Sequence, residues 1–197
     1  VQEIVKKMRP HAPCVELVHR LDKGTSGCLL IAKRRSVLRL LQEQFRQRKV
    51  YKQYFALVKG EWQGGRCVVN EPLRKISSSG GGHRVIVDKG EHGKSAVTSF
   101  TPVGFYKDCT LMMVQIKTGR THQIRVHARH LGHPVAGDDR YGCDVFNRKM
   151  SGFGLKNLFL RSASIGFPAL DESFPFKGLG VLLSSDLVAV LRCLKKK

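Results

Sequence analysis

The stretch from His19 to Lys33, HRLDKGTSGCLLIAK, sets one arginine and one carboxylate, Arg20 and Asp22, between an apolar run and a glycine turn. The preceding run, VELVHRLD (15–22), alternates as a strand entering the interior does, and strand period puts Arg20 and Asp22 on one face. Gly24 and Gly27 bracket a turn, after which CLLIAK reads as a second, more buried strand. An acid at a strand end can cap a turn, so on these residues alone Asp22 is either structural or chemical.

Working outward, Ser36 offers a helix cap for VLRLLQEQFRQR, in which Val37, Leu38, Leu41 and Phe45 approximate helical spacing. VYKQYFALVKG (50–60) returns to strand chemistry. Residues 70–98 are basic and rich in Gly and Ser, which predicts a flexible basic loop or hairpin inside a single domain spanning 1–197. SAVTSFTPVGF and CTLMMVQIK resume strand patterns. Thr121 is placed to cap HQIRVHARHL, a short helix stopped by Gly132 and Pro134, and SSDLVAVLRCLKKK reads as a closing helix. Many strands with few helices imply an α+β fold on a mixed sheet, not a doubly wound one.

Composition narrows the partner class. Thirty-five Lys and Arg against 15 Asp and Glu give a net charge of +20 over 197 residues, an imbalance that attracts polyanions and suggests a nucleic-acid footprint. The six cysteines show no C-x-x-C spacing, and Cys28 lies inside an apolar run, so neither a zinc site nor a disulfide framework is expected. A reducing compartment, the cytoplasm, fits that usage. No apolar stretch reaches the ~18 residues of a membrane span. The first residues, VQEIVKKMRPHAP, have no signal-peptide core and no initiator Met, as expected of an excised domain.

Several motifs fail on inspection. GKS at 93–95 would need a glycine five positions upstream for a phosphate loop, and Asp88 stands there. His122, His127, His130 and His133 cluster, but Arg125 and Arg129 among them would repel a divalent cation, so no metal is expected. There is no Gly-x-Ser-x-Gly elbow. Carboxylates remain. A buried Asp22 needs a partner, and the helix places His122, Arg125 and Arg129 on roughly one stripe from which an arginine could clamp it. Spacing leaves two readings level: a structural ion pair joining strand to helix, or a catalytic carboxylate held anionic.

HRLDKGTSGCLLIAK (19–33), YKQYFALVKG (51–60), TGRTHQIRVHARHLGHPVAGDDRYG (118–142) and LFLRSASIGF (158–167) resemble, in order and spacing, the RluA-type pseudouridine synthases. Within them the chain is most similar to the bacterial branch that modifies large-subunit ribosomal RNA. The resemblance implies a mixed, largely antiparallel sheet with an RNA cleft across it, flanked by helices. It implies Asp22 as the catalytic aspartate, Tyr54 as the active-site tyrosine and Arg125 as the arginine paired with the aspartate. Arg20 would enter the gap left by a flipped nucleotide, and Arg120, His122 and Arg129 would bind RNA. Without the resemblance Tyr54 reads as core, since it shares a strand face with Val50, Ala56 and Val58. The implied reaction isomerises uridine with no cofactor and no metal, in a monomer. Transfer RNA as the substrate, or a non-catalytic RNA-binding or ribosome-assembly module, are the alternatives. Two departures stand out: Arg161 occupies a position where the family usually has histidine, and the amino-terminal S4-like domain is absent from this chain.

Overall fold

The fold is built on four strands whose successive residues point to opposite faces of one sheet, both of them largely buried. They are β4 (Tyr51–Lys59), β8 (Val97–Tyr106), β9 (Cys109–Ile116) and β10 (Leu160–Gly166). A computed structural model describes residues 1–77, 83–168 and 178–194. With β5 (Cys67–Asn70) and β11 (Gly178–Gly180) these strands form one sheet in the order β11-β10-β4-β9-β8-β5, every neighbour antiparallel. A short β2 (Ser26–Gly27) adds to β10 in parallel and makes the sheet mixed, as the sequence implied. β1 (Glu16–Leu17) with β3 (Ile31–Ala32), and β6 (Leu73–Ser77) with β7 (His83–Val87), are separate hairpin-like pairs. Residues 78–82, the centre of the segment expected to be flexible, lie outside the described residues.

Period-two alternation along β4 feeds two cores. Tyr54, Ala56 and Val58 point to one face, where Phe100, Met112, Val114 and Leu160 meet Ile124 and Ala128 of α3 (Gln123–His130). Leu57 points to the other, where Leu111 and Phe159 meet α4 (Asp144–Gly152) and α5 (Ser185–Cys193) through Phe146, Met150, Leu187 and Val190. Val50 belongs to neither. It joins Val18, Cys28, Ala32 and Ile165 under α2 (Arg35–Arg46). The first helix, α1 (Gln2–Met8), buries no residue.

Three local expectations are corrected. The strand read over 15–22 covers only Glu16–Leu17, because the His19 imidazole accepts the Leu30 N–H at 3.1 Å where a ladder carbonyl would have continued the pairing. Arg20 and Asp22 therefore lie in a loop, and no strand face holds them. Ser36 sits inside the first turn of α2, whose N-cap position is Arg34. Thr121 is exposed and does not cap α3; the N-cap position is His122, in the left-handed region at φ 54°. The Gln123 side chain reaches back instead, its amide oxygen accepting the Arg120 N–H at 3.0 Å and the Thr118 hydroxyl at 2.7 Å. The stop of α3 is as read. Gly132, at φ 82°, donates to Arg129 O and His133 donates to Ala128 O, the paired bonds of a Schellman end.

Candidate active site

Asp22 opens a turn closed by the Thr25 N–H on its main-chain oxygen at 3.0 Å, with Gly24 supplying the positive φ of 86° that the third position requires. Its side chain does not serve that turn. Oδ2 accepts the main-chain N–H of His122, 100 residues away, at 3.2 Å. Among the described residues no ion-pair partner lies within 4.0 Å of this carboxylate. The loop is pinned at its far end by Gly27, where β2 presses so closely on β10 that a Cβ would stand 2.1 Å from Ser162 O. The glycine of TSG is thus a close-approach residue, and it fixes where Asp22 can be.

Asp22 lines a cleft of about 240 Å³ with Tyr54, Arg20, Lys52, Arg120, Leu160 and others from β4, the 119–121 loop and α3. Tyr54 is 8% exposed, both a member of the core and a wall of the cleft. Burial is the main force that pushes its phenol up to about 12; the Asp22 charge adds to it and hydrogen bonding with Ser162 opposes it. Lys52 lies 5.9 Å from the centroid of Phe45, and burial holds its ammonium below the ordinary value. His19 stacks on the same Phe45 ring at 5.1 Å. Three cations and one carboxylate line a cleft suited to a polyanion, with Asp22 and Tyr54 in its wall.

The pairing of Arg125 with Asp22 is not what the structure forms. Arg125, 4% exposed, donates from Nε and Nη2 to the two oxygens of Asp138, each at 2.7 Å, and Nη2 reaches Asp139 at 3.3 Å. Asp138 also accepts the main-chain N–H of Arg140 at 3.0 Å and of Tyr141 at 2.8 Å. Burial alone would raise its carboxyl; the Arg125 bonds, with these two amides, outweigh it and hold the group below its ordinary value. The guanidinium feels the Asp22 charge only at longer range. The stripe of His122, Arg125 and Arg129 is real, but it faces the 138–142 loop. Arg129 donates to Tyr141 O at 3.1 Å and does not line the cleft, nor does the His122 ring, which meets Tyr141 Oη at 2.9 Å. Of the expected RNA-binding residues the cleft gathers Arg20 and Arg120, the latter braced on Ser95 O at 3.1 Å. The other histidines disperse. His127 meets Thr98 and Glu71 O, and His133 meets Lys59 O. Arg161, at the histidine position of the resemblance, donates to Leu182 O at 2.7 Å and Ser26 Oγ at 3.4 Å, bracing β2.

A family model described as RNA pseudouridylate synthase matches residues 4–130, a span that holds Asp22, Tyr54 and the whole of α3. The chain belongs to the RNA pseudouridylate synthase family. It is 47% identical over 167 residues to a protein of Haemophilus ducreyi named ribosomal large subunit pseudouridine synthase C, covering 85% of this chain and 52% of that one. A protein of the same name from Haemophilus influenzae is 44% identical over 198 residues, covering 100% of this chain and 60% of that one. The chain thus spans about half the length of the curated relatives it matches, 52% and 51% for the Haemophilus ducreyi and Pasteurella multocida proteins. Among solved structures, human RNA pseudouridylate synthase domain containing 1 superposes with a TM-score of 0.71 at 26% identity, covering 98% of this chain and 86% of that one. The synthase fold is therefore shared over nearly the whole chain.

Sequence reasoning missed Lys52, Asp138 and Tyr141. Lys52 had a usable signal, standing two positions before Tyr54 and so on the same strand face. Asp138 and Tyr141 lie in a loop 13 and 16 positions beyond Arg125, too far for any helical or strand period to connect them.

Proposed function

We propose that this chain isomerises uridine to pseudouridine in large-subunit ribosomal RNA, with Asp22 as the essential carboxylate. The observation that carries the proposal is the meeting of Asp22 and Tyr54 in one cleft walled by Arg20, Lys52 and Arg120. The ribosomal target is taken from the relatives' names, and a monomer in the cytoplasm is part of the same reading. Uridine inside folded RNA keeps its reacting atoms in the stack, so the nucleotide must swing out at a cost of roughly a few kcal/mol. Phosphate attraction to the basic surface offsets that cost, and the exposed Arg20 guanidinium can stack where the base had been.

The N1–C1′ bond then breaks, the uracil turns, a C5–C1′ bond forms, and the proton lost from C5 is balanced by one gained at N1. Asp22 acts on the sugar, as nucleophile at C1′ or as the base that begins glycal formation, and either route needs its anion. The His122 N–H holds one oxygen in place and leaves the other for the substrate. A phenol pushed up to about 12 stays protonated at neutral pH, so Tyr54 packs against the uracil and takes the C5 proton only while passing its own on.

The deciding measurement is pseudouridine formed on large-subunit RNA lacking the modification, by wild type and by Asp22→Asn, with binding and melting of both proteins alongside. The amide keeps the shape and the His122 contact but not the charge. Turnover should vanish while folding and RNA binding persist. Turnover by a folded Asp22→Asn protein refutes the carboxylate role. A wild type that binds RNA without isomerising it is a binding module, and one that modifies only transfer RNA has another substrate.

A further inference from the structure

The His122 amide that holds Asp22 belongs to a residue in an uncommon backbone state. A non-glycine residue at φ 54° persists only where its surroundings over-determine it. Two anchors are visible. The His122 carbonyl is taken by the first turn of α3, accepting the Val126 N–H at 3.0 Å. Its ring is held through Nδ1 by the Tyr141 hydroxyl at 2.9 Å, with the two rings edge-on at 5.4 Å between centroids.

Tyr141 is itself immobilised on every side. It is 2% exposed, its main-chain N–H is bound to Asp138, and the Arg125 guanidinium lies 5.1 Å from its ring centroid. Its hydroxyl accepts the Val85 N–H of β7 at 2.9 Å, which leaves the phenolic proton free to go to Nδ1 of a neutral imidazole. Burial, chiefly, keeps His122 below its ordinary value and so favours that neutral ring.

We propose that Tyr141 is a positioning residue for the isomerisation: its hydroxyl holds the His122 side chain, and thereby the left-handed backbone whose N–H fixes the Asp22 carboxylate. Arg125 and Asp138 act one step further back, as the clamp that seats Tyr141. The arginine expected at the carboxylate feels its charge only at longer range and bears on its position through a tyrosine and a histidine. This inference rests on the function proposed above, and it concerns alignment of the carboxylate, not affinity for RNA.

The test compares single-turnover rates at saturating enzyme with RNA affinity, on unmodified large-subunit RNA. Tyr141→Phe keeps the buried ring and removes only the hydroxyl. The rate should fall about tenfold, the equivalent of one well-made hydrogen bond, with RNA affinity unchanged. Glycine adopts φ 54° without a tether and has no imidazole to hold. In a His122→Gly background, therefore, Tyr141→Phe should produce no additional slowing. A second series does not depend on Tyr141→Phe folding. Asparagine tolerates the left-handed region, and its Oδ1 stands as many bonds from Cβ as Nδ1 does, whereas alanine offers neither property. His122→Asn should therefore be clearly faster than His122→Ala. The proposal is overturned if Tyr141→Phe turns over at the wild-type rate, if it slows the His122→Gly protein as much as wild type, or if His122→Ala matches His122→Asn. A wild type that forms no pseudouridine at all would instead remove the proposed function, and this inference with it.

Discussion

Arg125→Met separates the pairing the sequence suggested from the one the structure forms. The substitution keeps most of the buried volume and removes the guanidinium, leaving the Asp138 carboxylate with a fully buried side chain and no counter-charge from Arg125. Removing one partner of a buried pair costs about 3–5 kcal/mol. The low end applies, because Asp138 keeps the N–H groups of Arg140 and Tyr141. With a urea slope of about 2 kcal/mol per molar, a loss of about 3 kcal/mol lowers the unfolding midpoint by about 1.5 M. The informative measurement is the double mutant. Arg125→Met with Asp138→Asn removes the orphaned charge while the amide oxygen still accepts main-chain N–H groups, so the midpoint should recover by more than half. Arg125→Met with Asp22→Asn should recover little. Recovery with Asp22→Asn and none with Asp138→Asn would refute the assignment. An unchanged midpoint in Arg125→Met would refute the buried pair altogether.

The Asp138 contribution should also be legible in pH. Its folded carboxyl lies below its ordinary 3.8, so the stability gap between wild type and Asp138→Asn is full above that value and closes as pH falls through the lower, folded one; a gap that widens in acid would reverse the sign. Gly27→Ala should lose about 1–3 kcal/mol by overpacking at Ser162 O, and activity with it, while Gly65→Ala, with nothing within 4 Å of the new Cβ, should melt like wild type. RNA affinity should fall with salt at a log–log slope of about −0.7Z to −0.9Z for Z neutralised phosphates, and a flat response would remove the polyanion reading of the +20 charge. Under limiting thiol reagent, Cys143 should label before Cys109. The first is held below the ordinary thiol value by the Phe146 N–H at the start of α4, whereas burial pushes the second up to about 11; equal rates would contradict this.

Legibility followed interaction range. β4 and β9 were readable because both faces are buried along much of their length, which writes near-continuous apolar runs into consecutive residues. The end of α3 was readable because Gly132 supplies a conformation other residues resist. The strand through Asp22 was misread because its end is set by His19 taking the Leu30 N–H, a contact between a side chain and a later backbone group. Asp22 was singled out by its residue type and setting and then by resemblance, whereas its hydrogen-bond partner was singled out by neither. The His122 main-chain N–H has no side-chain signature, and the arginine expected in its place had a better-placed acid, Asp138, in a loop beyond the reach of any short-range pattern.

The parallel ladder between β2 and β10 has a consequence for the order of synthesis. Asp22 is made well before the strand that fixes its loop, which pairs through Arg161↔Ser26 and Ser162↔Gly27 across a separation of 135 residues. Contacts of such separation form late, after the cost of closing a long loop has been met. A growing chain therefore carries its carboxylate unaligned until β10 has emerged and threaded beside the TSG turn. Under the function proposed above, a nascent chain that lacks β10 should bind RNA through its positive charge without isomerising uridine.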